Sequence, residues 1–434
     1  MRKVIVLSLL LLTTSLFFAF GPELSFGTVT LGATDSYFVY MFHYPVTDII
    51  PGIDLDFGFD MYQTEIGGQM YFGKPSLDAT PSTNVLNGFS IYAVSLRTKL
   101  LDLRYGKMGF YSKGIGLLLN SYTKPRAWAF DANIKFFQPG LSLHVPFEIV
   151  SLNPFVVDKT SSLWFGGVFF DLPLNLKLDT TFVWESNSAI TDSGEIPAYG
   201  LTASLDFPIV NWKLIRLIPS AETAILATKD FSHIGFGAGV GARAAILDLL
   251  RIRGGLVYYS ENFIPGYYNA DYEYKKMMEL YEGQSWLPRI TDAATPALGW
   301  FIRGDVGIGD MLILKVNVDS YNTLPNSPVV KGYLRVRIPE VNLGKFGGVP
   351  EFFAEAGYYQ DNFPVAELFG ENWKNALLNE NTRLSFGAIY PLAGNMAAHF
   401  IVNYNPAAKD FDYLIMFESL SDRMPGAWLD PSED

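Results

Sequence analysis

The sequence predicts an all-β protein: a transmembrane antiparallel up-and-down β-barrel of about 18 strands, within a range of roughly 14–22, with short helical segments in its long loops. Three observations predict it. Apolar residues recur at every second position in segments of about ten residues. The joints between those segments are very short in some places and long in others. Charged residues are 18% of the chain and aromatics 15%, poor in charge beside the ~25% of a soluble domain, yet no internal stretch approaches the ~18 consecutive apolar residues of a spanning helix.

In chain order, residues 1–21 are expected to be a signal peptide. Arg2 and Lys3 form a basic start, Val4 to Phe18 an apolar core, and Ala19, Phe20 and Gly21 close it before Pro22. The barrel is expected over 22–420, followed by a polar tail over 421–434. Without Arg2 and Lys3 the formal charge falls from −12 to −14, which argues against nucleic acid as a partner. The chain has no cysteine, so disulfide frameworks and thiolate sites are excluded.

The strands follow. From Ile53 to Met61, Ile53, Leu55, Phe57, Phe59 and Met61 alternate with Asp54, Asp56, Gly58 and Asp60. From Leu172 onward, Leu172, Leu174, Leu176, Leu178, Phe182 and Trp184 take one side, with Asn175, Lys177, Asp179, Thr181 and Glu185 on the other. The same pattern returns from Tyr199 to Phe207, Leu312 to Val318, Val330 to Ile338, Met396 to Tyr404 and Phe411 to Phe417. Segments of roughly nine to thirteen residues exceed the usual sandwich strand and reach across hydrocarbon at a tilt near 45°. Unpaired sheet edges are too costly in lipid, so spanning strands close into a barrel.

The joints fit that geometry. Tight turns are expected at Phe136 to Ser142, Leu247 to Leu250, Gly307 to Met311 and Pro391 to Met396; long loops at Lys74 to Gly88, Glu261 to Pro296 and Asp361 to Thr382. Aromatics gather near strand ends, at Trp128, Trp184, Tyr258–Tyr259, Trp300–Phe301 and Tyr358–Tyr359, as interfacial girdles do. Helical spacing within the long loops predicts helices over 271–283 and 365–381. Such segments either fold into the lumen or cap the long-loop end, and the cap is the reading adopted here.

With the apolar faces toward lipid, the alternate residues face the lumen. The earlier strands offer Asp54, Asp56, Asp60, Asp131, Asp179, Glu185 and Asp206, with Lys135 and Lys177 as exceptions. The later strands offer Arg243, Arg251, Arg253, Arg303, Lys315, Lys331, Arg335, Arg337 and Arg383, partly offset by Asp305, Asp319, Glu351 and Glu355. Strands are ordered around a barrel by sequence, so an acidic wall would face a basic wall across water, creating a transverse field that filters ions.

One stretch raises a rival. From Ile234 to Leu247 the chain reads IGFGAGVGARAAIL, containing Gly237-x-Gly239-x-x-Ala242 with Glu261 some way beyond, the form of a dinucleotide fingerprint. The alternation runs through it, however. Ile234, Phe236, Ala238, Val240, Ala242, Ala244 and Ile246 make one face, and Gly235, Gly237, Gly239, Gly241 and Arg243 the other. It reads as a crossing strand with a bare inner face, over which Tyr259 or Phe301 would lie or at which the wall would curve.

Chemistry finds little footing. His43, His144, His233 and His399 are scattered and form no zinc motif, and no nucleophile elbow occurs. Ser385 and His399, on neighbouring strands with inward parity, are the one pair resembling those of barrel hydrolases. No enzyme activity, cofactor or metal is expected.

The alternation, the turn asymmetry and the charged inner face together resemble the porin-like outer-membrane β-barrels of bacteria with two membranes. The resemblance covers nearly the whole mature chain and is one of pattern, not motif. It implies location in outer-membrane lipid, insertion by the outer-membrane assembly machinery, a possible homotrimer, and passive diffusion of small hydrophilic solutes or ions. Members commonly end on an aromatic residue, whereas here a polar tail runs to Asp434. The rivals are a non-conducting barrel that anchors the envelope, a gated substrate-specific transporter, and a secreted soluble β-protein.

Overall fold

A computed structural model describes residues 23–419, apart from 32–34, 76–79, 99–100, 121, 136–139, 145–161, 213, 248, 270–271, 283–284, 294, 309–310, 321–327, 343–347, 350, 361, 369, 371–372, 380–381, 393–395 and 406–409. The signal-peptide and tail expectations therefore lie outside the described residues. So do the side chains of Trp128, Asp131 and Lys135.

The alternating segments form one antiparallel sheet of 22 strands. Two of these, Tyr71–Phe72 and Val210–Asn211, are flaps lying alongside longer neighbours. The rest make a wall of about twenty strands in which each strand pairs antiparallel with the one before it. The last, Asp410–Ser419, pairs with Met396–Asn405 on one side and with the first strand, Glu23–Leu31, on the other. That last joint matches Leu24–Gly27 to Phe417–Leu414. The Tyr413 N–H also donates to Thr28 Oγ1 at 3.0 Å. Gly27 permits the approach, since a Cβ there would collide with the Tyr413 carbonyl.

Burial along the strands is inverted relative to a soluble protein. Phe182, Leu201, Leu256, Ile302, Val316, Phe400 and Phe411 are exposed, while Thr181, Thr202, Glu222, Asp319 and Arg335 are buried. Successive side chains project to opposite faces, so the outer face is apolar and the inner face polar, as an all-strand solution in lipid requires. No helix among the described residues is long and apolar enough to cross a membrane.

Strict antiparallel order sorts the joints by end. The turns at 51–52, 172–176, 247–249 and 309–311 lie at one end, and the connections 64–88, 112–121, 186–198, 260–296 and 361–381 at the other. At the short-turn end, the connection 339–351 is longer and holds a small hairpin, Val341–Asn342 with Gly348–Val349.

Two expectations need correction. The alternation from Leu172 to Trp184 is not one strand. Leu163–Asp171 ends before Pro173, which cannot donate to a ladder. Pro173–Asn175 makes a 3-10 turn with Leu174 at φ +66°, and the next strand is Lys177–Glu185. The helix expected over 365–381 is two short pieces, Val365–Leu368 and Trp373–Leu377. The other loop helix forms, as Tyr272–Glu282.

The apolar core lies inside the wall. Inward residues Phe165, Val183, Leu226, Val257, Tyr259 and Phe301 cluster with Ile115 and Leu117–Leu119 from one connection, with Tyr122 at the start of the strand Tyr122–Lys135, and with Phe263, Ile264, Tyr267, Tyr268 and Tyr272 from another connection.

Candidate functional site

Directly opposed residues of a ladder share a face, so the pairings locate each sequence-derived candidate. Asp54, Asp56 and Asp60 lie on the inner face of Ile53–Gln63, where Asp54 accepts from Ser95 Oγ at 2.8 Å. Asp179 and Asp206 share the inner face with Thr181, Thr202 and Ser204. Arg243, Arg253 and Arg303 oppose one another across three strands, and the row continues through Asn317, Lys331 and Tyr359 to Arg383. A second row runs from Arg251 through Asp305 and Lys315 to Tyr333. Arg335 and Arg337 complete the inner face of Val329–Ile338, opposite Glu355 and Phe353.

Several of these charges are tied to neighbours. Arg243 pairs with Asp206. Arg303 grips Asp319 Oδ1 through Nε at 3.1 Å and Nη2 at 3.0 Å. Arg337 makes a two-pronged pair with Glu351, both contacts at 2.9 Å. Arg335 lies 3.9 Å from Glu355 and 4.2 Å from the Phe353 ring. Glu355 also accepts from Tyr333 at 2.8 Å and lies 3.4 Å from His399. Ser385 opposes Asn403, and His399 opposes Ile389, so Ser385 and His399 are not a facing pair.

A feature the sequence reading missed dominates one side of the lumen. The connection Ser112–Asn120 leaves its own strands and lies against the inner face of strands remote in sequence. Lys113 reaches Asp179 at 2.6 Å. The backbone N–H groups of Ile115, Gly116 and Leu117 all donate to Glu222 Oε2, at 2.7, 3.0 and 3.2 Å. Thr202 donates to the other carboxylate oxygen at 2.6 Å. The Ile115 carbonyl accepts from Arg303 at 3.2 Å, and Asn120 donates to Asp319 at 3.2 Å. Successive N–H groups turned to one point form a nest for an anion, and Gly114 and Gly116, at φ +55° and +91°, supply the turn that makes it. Those two glycines were the available signal.

The long connection 260–296 holds this segment from its other side. Gly266 and Tyr268 N–H groups donate to the Leu117 and Leu118 carbonyls at 2.7 and 3.2 Å. Tyr268–Asn269 pairs in parallel with Leu119–Asn120. The helix Tyr272–Glu282 is not merely an exposed cap. Lys276 is 0% exposed, placed 3.1 Å from Glu185 and 3.2 Å from Glu273, and Tyr272 donates to Glu185 at 2.8 Å. A buried charge persists only when paired, and Glu185 is the wall's contribution. Burial pushes the Tyr267, Tyr268 and Tyr272 hydroxyls well above their usual range, which keeps them neutral.

The glycine strand, Ile234–Ile246, is the floor for these connections. A Cβ at Gly235 would strike the Asn262 carbonyl; at Gly237 it would lie 2.5 Å from the Phe263 ring, and at Gly239 2.5 Å from Ile115 Cδ1. A Cβ at Gly241 would lie 3.2 Å from the Phe301 ring. The bare face is thus covered chiefly by the two inward connections, with Phe301 at its end. The strand continues through the glycines with no helix after them, which removes the nucleotide reading.

No family model matches the chain, and no curated protein sequence matches it. Among solved structures it is similar to OpdL of Pseudomonas aeruginosa, at 9% identity over 92% of this chain and 97% of that one, with a TM-score of 0.37. It is also similar to OpdK of Pseudomonas aeruginosa with vanillate, at 11% over 92% and 96%, TM-score 0.39. A third is OccAB2 of Acinetobacter baumannii, at 8% over 92% and 97%, TM-score 0.40. At this distance the likenesses assign neither a subfamily nor a solute.

Proposed function

We propose that the chain is an outer-membrane channel through which small hydrophilic solutes or ions diffuse passively. The observation that carries the proposal is the inverted wall. Exposed apolar residues lie outward on strand after strand, charged residues lie inward, and the last strand pairs with the first. Such a wall is stable in lipid and leaves a polar interior. Its lumen would be narrowed by Ser112–Asn120 on one side. The proposed pore-lining set is Asp54, Asp56, Asp60, Asp179, Asp206, Arg243, Arg251, Arg253, Arg303, Lys315, Arg335, Arg337 and Arg383. The row from Arg243 to Arg383 forms the basic wall, and Asp54, Asp56, Asp60, Asp179 and Asp206 the acidic one. Pairs such as Arg243–Asp206 and Arg303–Asp319 spend part of that field locally. Insertion by the outer-membrane assembly machinery and a homotrimeric state belong to the same proposal, and no catalytic role is assigned.

A second reading, a barrel shut by its loops or a gated transporter, draws on the apolar cluster packed inside the wall. Planar-bilayer recording of the purified protein separates the two. The channel predicts stepwise conductance with a nonzero reversal potential in a salt gradient; silence under all voltages favours the shut or gated barrel.

A further inference from the structure

The short-turn end carries large apolar side chains where water-facing turns ordinarily carry polar ones. Leu174 is 80% exposed, Trp212 69%, Leu214 59%, Leu247 54%, Leu249 45% and Met311 61%. Five of these belong to three successive hairpins of one sector, whose turns join Tyr199–Asp206 to Ile215–Ala227, Ile234–Ile246 to Leu250–Tyr259, and Ala297–Ile308 to Leu312–Ser320. Together they make a contiguous apolar rim of the kind that marks an interaction surface.

Two independent features say what covers it. Leu174 and Leu247 occupy the left-handed region, at φ +66° and +54°. Glycine or asparagine sits there without cost, whereas a leucine costs roughly 1–2 kcal/mol. An apolar side chain is kept at two turn tips against its own backbone preference. The turn backbones are also paired. The Leu247 N–H donates to the Leu214 carbonyl at 2.8 Å, Leu249 to Ile246 at 3.0 Å, Gly307 to Leu249 at 2.8 Å, and Met311 to Ile308 at 3.0 Å. Apolar side chains beside these paired backbone groups suit a lipid environment, where an unpaired group is costly. The rim is continuous with the outer face of the same strands, where Ile215, Ile246, Ile252 and Ile308 are exposed.

We propose that these short turns are immersed in the membrane, with the outward apolar face continuing around the strand ends. The inference rests on the membrane reading and extends it to a surface that strand periodicity leaves in water. The sector's two longest strands, Ile215–Ala227 and Ile234–Ile246 at 13 residues each, stand beside strands of 8 and 9 residues, Tyr199–Asp206 and Lys177–Glu185.

The chain has no cysteine, so nitroxide labels report single sites. Leu214→Cys, Leu247→Cys and Met311→Cys are made in the full chain and reconstituted in phosphatidylcholine vesicles. Leu256→Cys serves as the mid-strand outer control and Ser193→Cys as the long-loop control. Collisions with oxygen and with a water-soluble nickel chelate are compared. The proposal predicts oxygen-dominated collisions at all three rim sites, as at Leu256 and opposite to Ser193. Chelate-dominated collisions at the rim with oxygen dominance at Leu256 overturn the rim and leave the membrane reading standing. Exclusion of both agents at the rim overturns it in favour of a protein partner. Chelate dominance at Leu256 itself overturns both.

Discussion

Glu222 joins segments 107 residues apart, since one of its oxygens accepts the Ile115 N–H. It also accepts from Gly116, Leu117 and Thr202, which leaves little of the carboxylate unused. Replacing it by alanine strands three loop N–H groups, and each buried unpaired donor costs about 1–3 kcal/mol. Glu222→Ala is expected to free Ser112–Asn120 and to give larger, noisier conductance steps, with faster protease cleavage in that connection. Glu222→Gln keeps an acceptor and is expected to fall between wild type and alanine. Unchanged steps in both variants would remove this segment from the constriction. Alternation along Ile215–Ala227 places Glu222 on the inner face. It does not reveal that a connection meets it there, because an acid on a wet face has the same pattern whether it binds water or backbone. Lys276 was hidden for a similar reason: a lysine on a mixed-charge helix reads as solvated until Glu185 is found beside it.

Ile234–Ile246 shows at the scale of one element what periodicity conveys and what it leaves out. Its two faces were legible, and so were Ile53–Gln63, Leu312–Ser320, Val329–Ile338 and Met396–Asn405, each close to the alternating segment that announced it. Leu172 to Leu176 misled because a turn happened to keep the leucine spacing, and only Pro173 signalled the break. The reason for four inward glycines was not legible, since the groups that need the space come from elsewhere in the chain. Gly237→Val tests that reason. The added side chain must displace Phe263 or bend the strand, and overpacking typically costs about 1–3 kcal/mol. The expected outcome is an assembled barrel with a lower heat-shift temperature on gels and new protease sensitivity within 260–296. Equal protection of that connection in wild type and variant would count against its packing on the glycine face.

For the whole molecule, the account turns on which side of the wall meets water. The charge distribution gives one check. Arg335→Ala with Arg337→Ala removes the arginine partners of Glu355 and Glu351. If these residues line the pore, the reversal potential is expected to move toward cation selectivity; an unchanged potential would place the basic wall away from the ion path. Fold class, strand course and the sorting of turns from loops were legible because a barrel in lipid imposes period two and closure on every strand. How the connections refold into the interior was not, because that depends on contacts between segments far apart in sequence. The most direct measurement is a cysteine scan of Leu312–Ser320 in the reconstituted protein with a membrane-impermeant thiol reagent. The account predicts rapid labelling at positions 313, 315 and 317, which face inward, and protection at 312, 314, 316 and 318, which face lipid. Labelling without alternation, or with the alternate set reactive, would contradict it.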